Sequence, residues 1–592
     1  MCGITALFAY GSAAPPVNPV EVERITQRMF ARGPDAGGIW LSADARVGLG
    51  SRRLAIIDLH DEASQPLTDA EGDLTIVFNG EIYNHRELRA RLEKRGATFR
   101  TTSDTEVLLQ LYRHYGGREM VELVRGMFAF AIWDAREREM FVARDPYGIK
   151  PLFYADDGRT IRIASQVKAL LAGDAISRTR DPAGIAGFFL LGSVPEPFTT
   201  YDSIRAVEAG TAFYVNESGR SDPWRYASIA SVLEYAESQR HIARLVPPRV
   251  LLRELVTESI DYHLVSDVPV GAFLSAGIDS TTLVALAKAP IHTVTILFDA
   301  FRNGEFNETR EADEFAQQRH APHTTRIVTR DEFVSDMPKI FEAMDQPTID
   351  GVNTWFVSKA AAEQKLKVAL SGIGGDELFG SYTSFSRIPR MVAAVHTAQR
   401  VPLGSRALSG ALATMRRTNP KTKRITTYGS TYGGAYLVQR GLFMPEELPS
   451  IVGDDVAHEG LQRLSIVDHI ANVLTPAPST PYGRVAALEA SLYMRNQLLR
   501  DTDWASMAHS LEVRTPLVDA SLLRQLAPVI VEHGQHCKYE FANAPEPPLP
   551  QSIRARHKTG FVTPLKEWMD LPPDGTSTRI RQWSRIVFEH FR

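Results

Sequence analysis

Cysteine stands at position 2, so removal of Met1 would leave one residue carrying both a thiol and a free α-amine. That amine, with an ordinary pKa of about 8, is a base attached to its own nucleophile. The plainer reading is a small buried thiol in a first strand. Attack on a carboxamide also needs donors for the tetrahedral oxyanion, and groups that fix the substrate's ammonium and carboxylate ends. Phe78-Asn79-Gly80-Glu81 closes an apolar run with a side-chain amide beside a glycine, a pairing that offers one side-chain and one backbone N–H. Arg53, expected at the start of a strand over 54–57, can clamp a carboxylate, and Asp104 can pair an ammonium. Taken singly, these are also a hairpin turn at Asn79-Gly80, a surface arginine and a helix cap.

A second set of residues suits phosphate. In VPVGAFLSAGIDST a buried strand over 270–274 delivers Ser275-Ala276-Gly277-Ile278-Asp279-Ser280 to the start of a helix, whose exposed N–H groups and dipole favour an anion. Asp279 adds a hard oxygen ligand suited to magnesium, and Ser275 and Ser280 add hydroxyl donors. Another apolar run, 367–370, leads into Ser371-Gly372-Ile373-Gly374-Gly375-Asp376-Glu377. Glycines let backbone approach a ligand closely, and in a doubly wound sheet such loops lie at the carboxyl ends of strands. A capped turn and a glycine-rich surface turn are the structural alternatives.

The elements that must position these residues differ between the two halves. Up to about residue 215, short apolar strands (4–10, 47–49, 54–58, 74–79, 127–133, 140–144, 161–164) alternate with turns, and helices are expected over 86–95 and 105–115. That is a layered α+β domain over 2–215, followed by a polar connector over 216–248. From 249 to 592, strands at 270–274, 292–298, 325–328 and 367–370 alternate with helices at 251–264, 281–289, 307–319 and 354–364, which predicts a parallel, doubly wound sheet. After Ile388 the pattern is mostly helical.

Composition excludes several classes. The chain of 592 residues is 44% hydrophobic and 23% charged, a globular balance large enough for more than one domain. Its 66 basic and 70 acidic residues give a net charge of -4, which argues against a nucleic-acid binder. Two cysteines cannot build a disulfide framework or a thiolate zinc site, and a reducing, cytoplasmic compartment is expected. No apolar run reaches the roughly 18 residues of a membrane helix. No Lys or Arg precedes the apolar run of MCGITALFAYGSAAPP, so a secretory leader is not expected.

MCGI, RGPD at 32–35, RLAIID at 53–58, FNGEIYNHRELR at 78–89, SDTEVLL at 103–109 and RDPYGIKPLFY at 144–154 together resemble the glutaminase domain of the glutamine-hydrolysing asparagine synthetases. The two phosphate loops, DWASMAHSLEVRTPLVD at 503–519 and RHKTGFVTPL at 556–565 resemble the ATP-dependent synthetase domain of the same family, so the likeness runs over nearly the whole chain. It implies an N-terminal-nucleophile αββα sandwich followed by an ATP-pyrophosphatase-type domain. It implies Cys2 as nucleophile, Asn79 and Gly80 as the oxyanion hole, and Arg53, Leu54, Ala55, Ile56, Ile57, Asn79, Gly80, Glu81 and Asp104 around glutamine. Leu274, Ser275, Gly277, Asp279, Ser280, Ile296, Ser371 and Gly372 would contact ATP. Asp279 and Asp376 would bind magnesium with pyrophosphate, and Lys558 would stabilise charge developing on adenylation. The implied partners are glutamine, a carboxylate acceptor and a second copy in a homodimer.

Two positions depart from the family pattern. Ala276 replaces a glycine of the pyrophosphate loop, which needs only a negative φ. Ile373 stands where the family places a glutamate thought to help deprotonate the attacking ammonia, and isoleucine accepts no proton. With Glu377 nearby as a substitute, the acceptor is aspartate on the family pattern, or a sugar or natural-product acid on the departure. Intramolecular amide formers of the β-lactam and lasso-cyclase kind, and a silent binding or storage protein, are the other readings. An intact Cys2, Asn79, Gly80 and Asp104 count against the first, and the second would leave two complete sets of polar residues idle.

Overall fold

The computed structural model describes residues 2–591 apart from 305, 403, 405–407, 409, 411–420, 422–423, 557–561 and 570–578. The first half is built on two stacked antiparallel sheets. One orders its strands Ile204–Ala206, Phe153–Asp156, Ile161–Ala164, Cys2–Phe8, Val47–Arg53, Ala36–Leu41, so the strand that begins at Cys2 lies inside the sheet. The other orders Gly219–Arg220, Thr211–Asn216, Glu139–Arg144, Gly126–Asp134, Leu74–Ile82, Leu67–Thr68. Alternate residues of both sheets (Phe8, Val77, Trp133, Val142, Phe213) fill the space between them, with Phe8 edge-on to Trp133 at 5.1 Å between ring centres. The helix Pro19–Gln27 covers the first sheet, and the helices His85–Glu93 and Asp104–Leu123 cover the second. This is the expected αββα layering.

Three local expectations change. No strand forms at 54–58; residues 54–60 are a loop, and Arg53 ends the preceding strand. Asn79-Gly80 is no hairpin, since the nine-residue strand Leu74–Ile82 runs straight through it, paired with Gly126–Asp134 from end to end. Within 216–248, the strands Gly219–Arg220 and Trp224–Arg225 pair with Thr211–Asn216, and the helix Ile229–Ser238 follows. The cause at Trp224 is tertiary: its ring stacks on Phe141 at 5.9 Å, and a local polarity profile does not register that contact.

The second half contains a five-stranded parallel sheet in the order His323–Val328, His292–Phe298, Val270–Phe273, Val368–Leu370, Glu512–Arg514. The chain enters at the central strand, adds strands on one side, then crosses to the other. The topological switch point therefore falls between Val270–Phe273 and Val368–Leu370, where ligands of such sheets bind. The last strand, Glu512–Arg514, is too short and too charged to be expected from periodicity. Beyond Ser384 the described residues are mainly helical, and Glu489–Leu499 is wound as a π-helix. Among the described residues, no helix is long and apolar enough to cross a membrane.

Candidate active site

Cys2 is buried, and its backbone N–H donates to Asn79 Oδ1 at 3.0 Å across the gap between the sheets. The other half of that amide, Asn79 Nδ2, is fully enclosed and has no partner among the described residues. Beside it lies a second unpaired donor. Along Leu74–Ile82, successive N–H groups point alternately toward and away from Gly126–Asp134. Phe78 N–H donates to Gln65 Oε1 at 2.7 Å and Ile82 N–H to Asp104 Oδ2 at 2.9 Å, both on the outer edge. Gly80 lies between them, so its N–H faces the same open edge. Only glycine fits there, because a Cβ would lie 2.1 Å from the carbonyl oxygen of Met127. Two unpaired N–H groups next to a thiol can hold a negatively charged oxygen.

Burial pushes the Cys2 thiol up, while Arg53 and the N–H of Leu54 pull it down, so the resting sulfur is a thiol that needs a base. Arg53 does not reach outward. Its guanidinium holds the 54–60 loop by the carbonyls of Ile57 at 3.2 Å, His60 at 3.1 Å and Asp58, and the N–H of Ala55 is fixed by Asp35 Oδ2 at 2.9 Å. Glu81 and Asp104 are both buried, and burial raises each carboxyl above its ordinary range, as expected of acids awaiting a cation. Cys2, Arg53, Leu54, Asn79, Gly80, Glu81 and Asp104 thus converge.

At the switch point the two loops close on each other. Ser275 and Ser280 hydroxyls meet at 2.9 Å, Gly277 N–H donates to Ser275 Oγ at 3.2 Å, and the helix Ile278–Leu286 begins with no side-chain cap, leaving its first N–H groups open to an anion. Ala276 is not among the non-glycine residues with positive φ, so its methyl is tolerated. Gly375 lies against Asp279, whose Oδ1 would be 2.3 Å from an added Cβ. Leu274 donates its N–H to the carbonyl of Val294 at 2.9 Å, which sets it beside the strand that carries Ile296. Lys538 reaches both acids: Nζ contacts Asp279 and lies 3.2 Å from Asp376 Oδ1. Burial opposes its charge, but the two carboxylates keep it above the usual lysine range. Asp279 and Asp376, within reach of one ammonium, are a hard-oxygen pair of the kind that takes magnesium together with substrate phosphates. Lys558 lies outside the described residues.

Ile373 is half-buried against the core. Glu377 accepts from Tyr382 Oη at 2.7 Å, and burial together with neighbouring Asp376 pushes it up to about 7. Behind Tyr382, Arg440 lies over the rings of Tyr382 and Tyr493 at 4.4 and 4.0 Å and pairs with Glu489 at 2.8 Å, the last two from the π-helix. Such windings often mark functional sites.

The halves meet through buried polar pairs and an apolar seam. Arg32 Nε donates to the carbonyl of Cys2 at 3.2 Å, and its guanidinium forks onto Asp503 at 2.7 and 3.0 Å. Leu54, Ile56 and Ile57 form one cluster with Val368 and Met507, flanked by Val265, Val268 and Val270. The loop behind the thiol therefore packs on the central strand of the parallel sheet and on its neighbour Val368–Leu370. Sequence reasoning missed Lys538, Asp503, Glu512 and Arg514. The stretch DWASMAHSLEVRTPLVD at 503–519 held a signal for three of them, and HCKYEF held none for Lys538.

The family model described as a glutamine amidotransferase domain matches residues 1–227, and that described as asparagine synthase matches 251–580. The chain is 31% identical to asparagine synthetase [glutamine-hydrolyzing] 1 of Bacillus subtilis, over all of this chain and 90% of that one. It is 32% identical to a putative asparagine synthetase [glutamine-hydrolyzing] of Mycobacterium bovis, over 96% of this chain and 88% of that one. Among solved structures, glutamine phosphoribosylpyrophosphate amidotransferase from Bacillus subtilis is similar at 17% identity and a TM-score of 0.29, over 55% of this chain and 65% of that one.

Proposed function

This chain belongs to the glutamine-hydrolysing asparagine synthetase family and is an asparagine synthase-like ligase with amidotransferase activity; from that premise we propose that it takes ammonia from glutamine at Cys2 and spends ATP to join it to a carboxylate. In this reading Met1 is removed and the freed α-amine of Cys2 takes the thiol proton as sulfur attacks the carboxamide carbon. Asn79 Nδ2 and Gly80 N–H hold the oxyanion, and ammonia leaves with the proton the amine returns. Water then cleaves the thioester to glutamate. The residues of the 54–57 loop, which Arg53 holds in place, together with Glu81 and Asp104 hold the amino-acid end of glutamine.

At the other centre Ser275, Gly277, Ser280, Ser371 and Gly372 cradle the phosphates of ATP, with Leu274 and Ile296 beside the nucleotide. Asp279 and Asp376 would hold magnesium, which neutralises charge on the departing pyrophosphate. Lys538 already occupies that place of charge, and Lys558 is assigned to the adenylation step by the family motif. The acceptor carboxyl becomes an acyl adenylate. Ammonia attacks its carbon, the C–O bond to AMP breaks, and a proton is lost to a base. The apolar seam from Leu54 to Val270 and Val368 supports passage between the centres without loss to water.

The observation that carries this reading is Asn79, with its oxygen on the nitrogen of Cys2 and its nitrogen unpaired. Cys2→Ala tests it: synthesis from glutamine should vanish while synthesis from ammonium salts persists, and equal retention of both refutes the assignment. The acceptor has two readings. Family membership favours aspartate, whereas Ile373 favours a larger acid. Supplying glutamine, ATP and magnesium with a panel of carboxylic acids, and following AMP, separates them, since strong release with aspartate removes the second.

A further inference from the structure

A cavity of 280 Å³ lies between the two halves of the chain. Tyr83, Arg125 and Ile149 come to it from the first half, Tyr226 from the stretch that follows, and Val518 and Arg524 from the second half. None of the residues assigned above to glutamine or to ATP lines it. At about 30 Å³ for each solvent-sized unit, it holds a molecule of roughly nine non-hydrogen atoms, too few for a nucleotide.

Its wall carries donors with nothing to bond. Tyr83 is 4% exposed, and its hydroxyl has no partner among the described residues. Burial holds that hydroxyl well above its ordinary range, so it keeps its proton and can only gain by meeting an acceptor. Arg125 gives Nε to Asp519 Oδ2 at 2.8 Å and Nη1 to Glu258 Oε1 at 2.5 Å, while its Nη2 is enclosed and has no partner among the described residues. Asp519 is already committed, since its Oδ1 accepts from the N–H groups of Ser521 and Leu522 at 2.7 and 3.0 Å. Glu122 and Arg524 are exposed and so mark the mouth, one from each half. Neither side chain forms a hydrogen bond or ion pair among the described residues. Between these polar groups the wall is aliphatic, from Val121, Val124, Ile149 and Val518.

Unfilled donors, an unfilled carboxylate at the mouth and an aliphatic wall are together the complement of one chemical class. We propose that this cavity binds a free α-amino acid with an aliphatic side chain, its carboxylate on the donors of Tyr83, Arg125 and Arg524 and its ammonium on Glu122. Bonds from arginine to carboxylate and from ammonium to carboxylate are charge-assisted, the stronger kind, and the side chain packs on the valines and Ile149. A bare inorganic anion would fill the donors yet leave Glu122 and the aliphatic wall unmet. A ligand seated there joins the two halves through one molecule. The site stands apart from both reaction centres and needs neither reaction.

Calorimetry on the full chain, with no glutamine or nucleotide present, tests this. The probes are L-leucine, L-isoleucine and L-valine, with leucinamide and 4-methylpentanoate as forms of leucine that lack the carboxylate and the ammonium in turn. At least one of the three amino acids should bind with a Kd at or below about 1 mM, and the two incomplete forms about tenfold more weakly or worse. Arg524→Ala, at an exposed position that makes no bond among the described residues, should weaken that binding about tenfold, and Tyr83→Phe, which deletes one oxygen, about fivefold. Absence of binding by all three up to about 10 mM overturns the proposal. So does affinity within about twofold of the parent in either variant, or an incomplete form that binds as well as leucine. No turnover enters the measurement, so a protein that forms no amide from glutamine, ATP and any acid sinks the function proposed above and leaves these outcomes as they are.

Discussion

Asn79→Ala tests the oxyanion-hole role proposed for Asn79. The substitution removes Nδ2, a donor that is wholly enclosed, has no partner among the described residues and so has no structural task there to lose. A single donor aimed at a developing oxyanion in a dry site contributes roughly 3–4 kcal/mol, or about 10²–10³ in rate. Because Nδ2 meets full negative charge only once sulfur has added to the carboxamide, the loss should fall on kcat and leave KM within a few-fold. The same change also deletes Oδ1, which accepts from Cys2 nitrogen at 3.0 Å; that costs about 1 kcal/mol of stability, offset in part by relief of the orphaned Nδ2. The assay is glutamate release from glutamine, which needs no knowledge of the acceptor, with thermal denaturation alongside. Ammonia-driven synthesis should be untouched. A kcat within fivefold of the parent, or a raised KM at unchanged kcat, would show that Asn79 merely holds the ground state and would refute the reasoning.

Arg32→Ala should destabilise the protein by about 3–5 kcal/mol, because it leaves Asp503 charged and alone in the seam, and Asp503→Ala should not add its full cost on top; urea unfolding of the single and double variants checks this. Glu377 is pushed up to about 7, above its ordinary value near 4.5, so its contribution to stability is whole below the lower figure and fades as pH rises through the upper one. The protein should therefore lose roughly 3 kcal/mol between pH 4.5 and 7.5 from this group, and Glu377→Gln should flatten the profile over that window. Lys538→Met leaves Asp279 and Asp376 without their shared ammonium. Its melting temperature should fall and then recover in millimolar magnesium by more than the parent gains, and an identical response in the two proteins would show that the acids do not share a cation.

Much of the chemistry was legible because it is local. A strand feeding Ser275–Ser280 into a helix, or Ser371–Asp376 following an apolar run, is written within a dozen consecutive residues, and backbone geometry at such a junction follows from them. Asn79-Gly80 shows where local reading stops. Its composition suits a tight turn, yet it lies mid-strand because the carbonyl of Met127, paired across the sheet, leaves no room for a side chain. Arg53 likewise turned inward, since 54–60 has no sheet partner and its carbonyls need a donor.

The order of residues by itself determined the layered and doubly wound folds, where two candidate centres lie on them, and the types of group at each. Only the tertiary structure decided which charges share a space. Lys538 reaches Asp376 and Asp279 from 162 and 259 positions away, and Arg514 faces Glu81 from the far domain. The reason is that electrostatic interactions depend on distance through space and on exclusion of water, and a linear pattern encodes neither until packing brings the strands together.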